Sequence, residues 1–167
     1  MKGIEQRDLK ISQVAYVDSV LAEFNMHSAE GRDTPIPQVE IGEEDLPKTE
    51  EEKKATQNMP IRNVIGKLWW VALQTRPDIY CALHKCALWQ NKPSEKLWKY
   101  LMHILRYLRA TREYGIVFRR EQRESIDNFL FALCDSSFAS EVRSKSRYGY
   151  FSFSGSFRGP RQSRREC

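Results

Sequence analysis

The sequence has little of what membrane, secreted or metal-binding proteins need. No stretch approaches the roughly 18 consecutive apolar residues of a transmembrane helix, and the first residues form no apolar signal run. Only four cysteines occur among 167 residues, and no two of them have C-x-x-C spacing. These absences favour an intracellular chain, cytoplasmic or nuclear and not secreted, with reduced thiols and no membrane partner.

Cys81, His84 and Cys86 lie close together in the sequence. They fall inside a helical pattern, where ~100° per residue places His84 and Cys86 about 200° apart. Side chains that point in nearly opposite directions cannot bind one ion, so we expect idle or buried thiols here.

Acidic and basic residues are unevenly distributed. The formal net charge is +5, yet residues 28–58 hold nine acidic and four basic residues and carry −5. The remainder therefore carries +10, a basic excess that is compatible with nucleic acid but weak evidence for it. Pro35, Pro37 and Pro47 disfavour a helix and indicate a partly extended acidic connector. Thr49 and Glu52 have capping-box spacing, which predicts a helical turn near its end.

Apolar residues at helical spacing predict four helices, at 13–25, 60–73, 78–90 and 94–110. Ser94 is the predicted N-cap of the last. Leucine and isoleucine residues on one face of this helix should be buried: Leu101, Ile104, Leu105 and Leu108. The opposite face carries a basic stripe: Lys96, Lys99, His103 and Arg106. Lys99 and Arg106 in this stripe should be exposed. The stripe is either a solvated face or a contact for phosphates, flanked by Trp98 and Tyr107.

Arg76 and Asp78 flank Pro77, which interrupts the helical pattern. We interpret the pair as an internal cap and ion pair in preference to a phosphate site. From residue 114 the period changes, and strands are predicted at 114–119, 129–134 and 148–153. The sequence therefore predicts an α+β fold, a helical bundle followed by β-strands.

Five groups of residues, in order, resemble the copia-type retrotransposon Pol polyprotein. They are Leu9-Lys10-Ile11-Ser12-Gln13; Thr34-Pro35-Ile36-Pro37; Ile65-Gly66-Lys67-Leu68 with Thr75-Arg76-Pro77-Asp78-Ile79; Trp98 with Ile104-Leu105-Arg106-Tyr107-Leu108-Arg109; and Asp135 with Phe138-Ala139 and Gly149-Tyr150. Leu97, Ala110 and Ser137 depart from the residues usual in the family, which are His, Gly and the second Asp of Asp-x-Asp.

The resemblance implies a fragment that spans the reverse transcriptase thumb and connection and the start of ribonuclease H. It divides the chain into the end of the palm with the first thumb helix (1–27) and an acidic, proline-containing linker (28–59). A helical thumb/connection region (60–113), truncated ribonuclease H-like strands (114–154) and a basic disordered tail (155–167) follow. The sheet should be incomplete.

The resemblance also implies the catalytic chemistry. The parent enzyme uses Mg²⁺ held by several carboxylates. Asp135 stands at a ribonuclease H metal-ligand position, at the predicted end of an apolar strand, and we interpret it as vestigial. No Asp-Asp pair exists in the sequence, and Glu44-Asp45 lies in the acidic connector. We therefore expect no catalysis, no cofactor and no small-molecule substrate for this chain by itself.

Three functional hypotheses remain open at this point. The first is a non-catalytic remnant of a transposon enzyme. The second is a binding module whose basic stripe contacts an RNA–DNA hybrid or primer–template. The third is an interaction protein that docks on a partner through exposed Trp69, Trp70 and Trp98.

Overall fold

The computed structural model describes residues 8–37, 41–118, 129–141 and 145–155. Tertiary contacts divide the chain into two units, Met1–Arg120 and Glu121–Cys167, which are described separately. Helices and antiparallel strands are both present, which confirms the α+β prediction. The predicted tail lies outside the described residues from position 156 onward.

Among its described residues, the first unit has five helices and two short strands. The strands are β1 (Leu9–Ile11) and β2 (Ile116–Phe118), and the helices are α1 (Val14–Glu23), α2 (Glu50–Gln57), α3 (Ile61–Gln74), α4 (Tyr80–Leu88) and α5 (Glu95–Ala110). Short 3₁₀ turns occupy Glu43–Asp45 and Pro77–Ile79. The four helices predicted from apolar spacing are α1, α3, α4 and α5.

Capping residues start two of the helices. The backbone N–H of Leu97 donates to the Ser94 hydroxyl at 3.2 Å, which confirms Ser94 as the N-cap of α5. At α2 the N–H of Glu52 donates to Thr49 Oγ1, while the N–H of Thr49 donates to the Glu52 carboxylate, each at 3.2 Å. The capping box predicted from these two residues therefore starts a real helix.

The core of this unit is built around α5. Leu101, Ile104, Leu105 and Leu108 are buried, as predicted, together with residues from α1, α3 and α4. Phe24 and Trp98 pack against this core, and their rings meet edge to face with centroids 6.4 Å apart. Helix α5 therefore organises the bundle, because its apolar face contacts all three of these helices.

Arg76 ties the end of α5 to the turn before α4. Its guanidinium is 2% exposed and donates to both oxygens of Asp78, at 2.7–3.2 Å. It also donates to the carbonyl and the hydroxyl of Thr111, at 2.9 and 2.6 Å. The Tyr107 hydroxyl donates to Asp78 at 2.7 Å. The interpretation of Arg76 and Asp78 as an internal ion pair is confirmed.

Strands β1 and β2 pair with each other, antiparallel, with Lys10 opposite Val117. The predicted strand at 114–119 is thus shorter than expected and belongs to the first unit. The family resemblance had grouped it with the later strands, in the region 114–154. Backbone pairing instead depends on which strand lies alongside, and here that strand comes from the beginning of the chain.

The second unit contains one antiparallel pair among its described residues, β3 (Phe129–Glu141) with β4 (Lys145–Gly155). Both strands are longer than the predicted 129–134 and 148–153. The expectation that β3 ends at Asp135 is wrong, since Asp135 lies inside the strand opposite Gly149. Pairing continues beyond the apolar run because it needs only a partner backbone alongside.

Replacing Asp78 with alanine should strongly destabilise the first unit. The change leaves the buried Arg76 guanidinium without its carboxylate partner, which costs about 3–5 kcal/mol in a fully buried pair. The cost should lie at or below the lower end of that range, because the Asp78 side chain is 35% exposed and Thr111 still accepts from Arg76. Urea unfolding followed by tryptophan fluorescence measures the loss. Glu51→Ala, an exposed change on α2, is the control and should cost less than about 1 kcal/mol. A similar loss for both variants would contradict a structural role of the Arg76–Asp78 pair.

Candidate nucleic-acid interface

The predicted basic stripe lies on one face of α5, but its members differ in their surroundings. Lys99 is 71% exposed and pairs with Glu95 one turn earlier, at 2.7 Å. Lys96, His103 and Arg106 are only half-exposed. The structure therefore brings the four residues together on a face that something else partly covers.

The cover is the segment before α2. We call residues 27–37 and 41–48 the strap. Arg109 Nε, near the end of α5, donates to the carbonyl of His27 at 2.6 Å. His103 Nε2 lies 2.9 Å from the carbonyl oxygen of Thr34, and this nitrogen must donate because a carbonyl only accepts. The Lys96 ammonium pairs with the Asp45 carboxylate at 2.7 Å.

These three contacts follow α5 from its last turn back to its first. At 1.5 Å per residue, Lys96 and Arg109 are separated by about 20 Å along the helix. The strap thus makes contacts along nearly the full length of the basic face, and it runs in the direction opposite to the helix.

Gly31 is required at the closest approach between the strap and α5. A Cβ atom on Gly31 would lie 2.8 Å from the Cβ of Ala110, closer than two carbon atoms can pack. Glycine therefore lets the strap backbone lie directly against the last turn of the helix. Ile41 adds an apolar contact, since it packs against the buried core.

Electrostatics stabilise the far end of the strap. The hydrogen bond from Lys96 and the backbone N–H of Gly42 together lower the pKa of Asp45 below its ordinary value. Asp45 thus carries a negative charge at neutral pH and neutralises one cation of the stripe. The acidic connector and the basic stripe, distant in sequence, are in direct contact here.

Arg106 was expected to be exposed, and this prediction is wrong. The residue is half-buried, and its Nε is enclosed without a hydrogen-bond partner. The helical pattern identified the polar face correctly, but periodicity contains no information about which distant segment lies over that face. The aromatic neighbours also turn inward: Tyr107 is buried against Asp78, and Trp98 packs on Phe24.

Three participants were missed by reasoning from the sequence, one cation and two backbone carbonyls. Arg109 was not counted in the stripe because it lies at the edge of the polar arc, yet it holds the strap at His27. The acceptors at His27 and Thr34 are backbone carbonyls. Every residue has such a carbonyl, so no residue type in the sequence could have indicated these two.

The candidate metal position, Asp135, is placed by its backbone in the middle of β3. Glu141 is the other carboxylate of the β3–β4 pair, six residues further along the strand. At about 3.3 Å per residue the two are roughly 20 Å apart, too far to share an ion. Among the described residues, no group of three or more His, Cys, Asp and Glu side chains could hold a metal.

Two of the four cysteines, Cys81 and Cys86, lie in the first unit. Cys81 is exposed and Cys86 is buried, and neither forms a disulfide. Burial raises the pKa of the Cys86 thiol to about 12, so it stays protonated at neutral pH. This agrees with the expectation of idle thiols at these two positions.

The tryptophans proposed as a docking surface separate into two groups. Trp70 is 54% exposed, whereas Trp69 and Trp98 are half-buried against the core.

In the described part of the chain, none of the helices combines the length and the apolar character that crossing a bilayer requires.

Comparison with known proteins gives the family context. The chain is 32% identical over 152 residues, 89% of its length, to the retrovirus-related Pol polyprotein from transposon TNT 1-94 of Nicotiana tabacum. It is 30% identical over 125 residues to the Pol polyprotein from transposon RE1 of Arabidopsis thaliana. Homologues of this chain are retrovirus-related Pol polyproteins of plant transposons.

The chain spans only a small part of these relatives, 11% of the Nicotiana protein and 8% of the Arabidopsis protein. It is also 29% identical over 95 residues to the secreted RxLR effector protein 161 of Plasmopara viticola, of which it covers 64%. No family model matches the chain. No solved structure matches it either. The sequence comparisons therefore support a relation to a fragment of a retrotransposon Pol polyprotein.

Acid should weaken the strap contact at Asp45. Because the folded pKa of Asp45 is lowered, its contribution is present above the ordinary aspartate pKa of about 3.9 and is lost as the pH falls through the folded value. Stability curves of the unaltered chain and of Asp45→Asn should therefore differ at neutral pH and converge in acid. Asp33→Asn, an exposed change in the same strap, should follow the unaltered chain at every pH. Curves for Asp45→Asn that run parallel to those of the unaltered chain in acid would contradict the assignment.

Proposed function

We propose that this chain is the segment of a copia-type Pol polyprotein that joins the reverse transcriptase to its ribonuclease H, and that it has no catalytic activity alone. The observation that carries the proposal is the match to one Pol polyprotein over 89% of the chain. The order of the structure supports it as well, since a helical unit precedes a β-stranded one.

Polymerisation by two-metal chemistry needs paired carboxylates that converge on Mg²⁺. The sequence has no adjacent aspartate pair. In Glu44-Asp45, the Asp45 carboxylate is already bound by Lys96 and by the N–H of Gly42. The residues present in this region do not fit a magnesium site, because the carboxylate is held by a cation of the same chain.

Ribonuclease H chemistry also needs several carboxylates in one place. Within the β3–β4 pair Asp135 stands alone, since Glu141 is roughly 20 Å away along the strand. Mg²⁺ releases its water molecules reluctantly, so one carboxylate holds it poorly. The described part of this unit therefore does not fit the metal that the family resemblance implies.

A second function is favoured by the geometry of α5. Lys96, His103 and Arg109 each hold an oxygen acceptor, and Lys99 is exposed beside them. Donors that already bind carbonyl and carboxylate oxygens can bind phosphate oxygens in the same way. We infer that this face contacts the phosphate backbone of an RNA–DNA hybrid or primer–template, without reading base identity.

Purified chain with Mg²⁺ or Mn²⁺ should neither extend a primer nor cleave the RNA strand of a hybrid. Primer extension and cleavage of a labelled hybrid measure the two activities, with a complete reverse transcriptase as the positive control. Asp135→Asn removes charge and little volume, so it should change nothing. Cleavage that is lost in Asp135→Asn but retained in Glu141→Gln would contradict the non-catalytic proposal.

A further inference from the structure

The strap occupies the same donors that a nucleic-acid backbone would use. The Lys96 ammonium pairs with the carboxylate of Asp45. His103 donates its Nε2–H to the carbonyl of Thr34, and Arg109 donates its Nε–H to the carbonyl of His27. All three acceptors are oxygens, as phosphate acceptors are. The single Nε2–H of His103 is used by Thr34, and the carboxylate of Asp45 neutralises Lys96. Lys96 and Arg109 keep further N–H groups, so a strand of nucleic acid competes with the strap for the His103 donor and for access to the face that the strap covers.

The strap is covalently tethered, which makes it an effective competitor. A short tether holds its ligand at an effective concentration in the millimolar range. The contacts themselves are few and lie at or near the surface, so each is individually weak. Weak contacts that are strengthened by tethering can be displaced by a partner that offers many phosphates together.

Arg106 gives a second indication that the strapped state is incomplete. Its Nε is enclosed beside the stripe, with no acceptor within hydrogen-bond distance. An enclosed donor without an acceptor is unfavourable. A phosphate oxygen that reaches this nitrogen would supply the acceptor that the closed state lacks.

We propose that the strap is an intramolecular competitor that closes the basic face of α5, and that a nucleic-acid backbone binds there only after displacing it. This inference rests on the phosphate contact proposed above. By linkage, binding and opening favour each other to the same extent: any change that releases the strap raises affinity, and nucleic acid promotes release. This competition involves phosphates alone, so it does not require recognition of base identity.

Gly31→Leu is the variant designed to open the strap. Its side chain would collide with Ala110 at the closest approach and push the strap away from α5. Gly66→Leu is the matched control, because a Cβ at Gly66 meets nothing within 4 Å. Asp45→Asn, which removes the pairing with Lys96 at little change in volume, is a milder second way to open the strap.

Two measurements on the full chain test the proposal. Trypsin cleavage after Arg32, followed by mass spectrometry, reports release of the strap. Fluorescence anisotropy with a labelled RNA–DNA hybrid, repeated over a series of salt concentrations, reports phosphate contacts. In Gly31→Leu the rate of cleavage after Arg32 and the affinity for the hybrid should both increase. The slope of log affinity against log salt should steepen by about 0.7–0.9 for each cation freed. Asp45→Asn should increase the cleavage rate and the affinity by smaller amounts. Gly66→Leu should leave both quantities unchanged.

Two further substitutions test whether Lys96 and Arg109 cause the increased affinity and the steeper salt slope. Adding Lys96→Ala and Arg109→Ala to the opened Gly31→Leu chain should abolish the steepening. Thermal unfolding identifies any variant that has lost its fold, in which case Asp45→Asn replaces it as the opened form.

Each outcome is decisive. Faster cleavage together with a steeper slope that depends on Lys96 and Arg109 supports the competitor. Faster cleavage with an unchanged slope that does not depend on Lys96 and Arg109 overturns both the competitor and the phosphate contact on this face. A slope that already depends on Lys96 and Arg109 in the unaltered chain, and that Gly31→Leu does not change, overturns the competitor and leaves the phosphate contact standing.

Discussion

The buried guanidinium of Arg76 constrains the first unit more than any other polar group described in it. A cation that is 2% exposed must have every neighbour in place, since its desolvation is compensated only by good hydrogen-bond geometry. Asp78 and Thr111 supply the oxygens, while the rings of Tyr107 and Tyr114 lie 5.4 Å from the guanidinium carbon. Partial burial opposes ionisation of Asp78, but the hydrogen bonds from Arg76 and Tyr107 outweigh it and lower its pKa. This arrangement fixes the turn before α4 against the end of α5 and the segment that leads to β2.

Once its C-terminal end is held, α5 is covered on two sides by different physical means. Its apolar face is buried by helices, through the hydrophobic effect, which needs no particular partner atom. Its basic face is covered by the strap, through a few directional contacts at Asp45, Thr34 and His27. The first kind of cover is permanent in the folded unit. The second can be exchanged for other oxygen acceptors, and the proposed competition with nucleic acid depends on this difference.

Much of the helical unit could be predicted because its signals are local. Ser94, the capping box of Thr49 and Glu52, and the leucine spacing of α5 all act within one or two helical turns. The Arg76–Asp78 pair is also local, being separated by two residues. The pairing of β1 with β2 was not predictable, because about a hundred residues separate the strands and either could pair elsewhere. The length of β3 was underestimated for the related reason that the apolar pattern reports burial and not pairing.

The candidate site can be divided in the same way, into features that the sequence predicts and contacts that only the tertiary structure determines. Composition and periodicity were sufficient to establish an amphipathic helix with a basic face and an acidic segment elsewhere, because both depend on residue type and spacing alone. Only the tertiary structure decided that the acidic segment lies on the basic face. That contact uses two backbone carbonyls, a glycine without a Cβ and one carboxylate brought next to Lys96 across 51 positions of sequence. Carbonyls are the same in every residue, so which of them meets His103 or Arg109 is determined by the path of the folded chain.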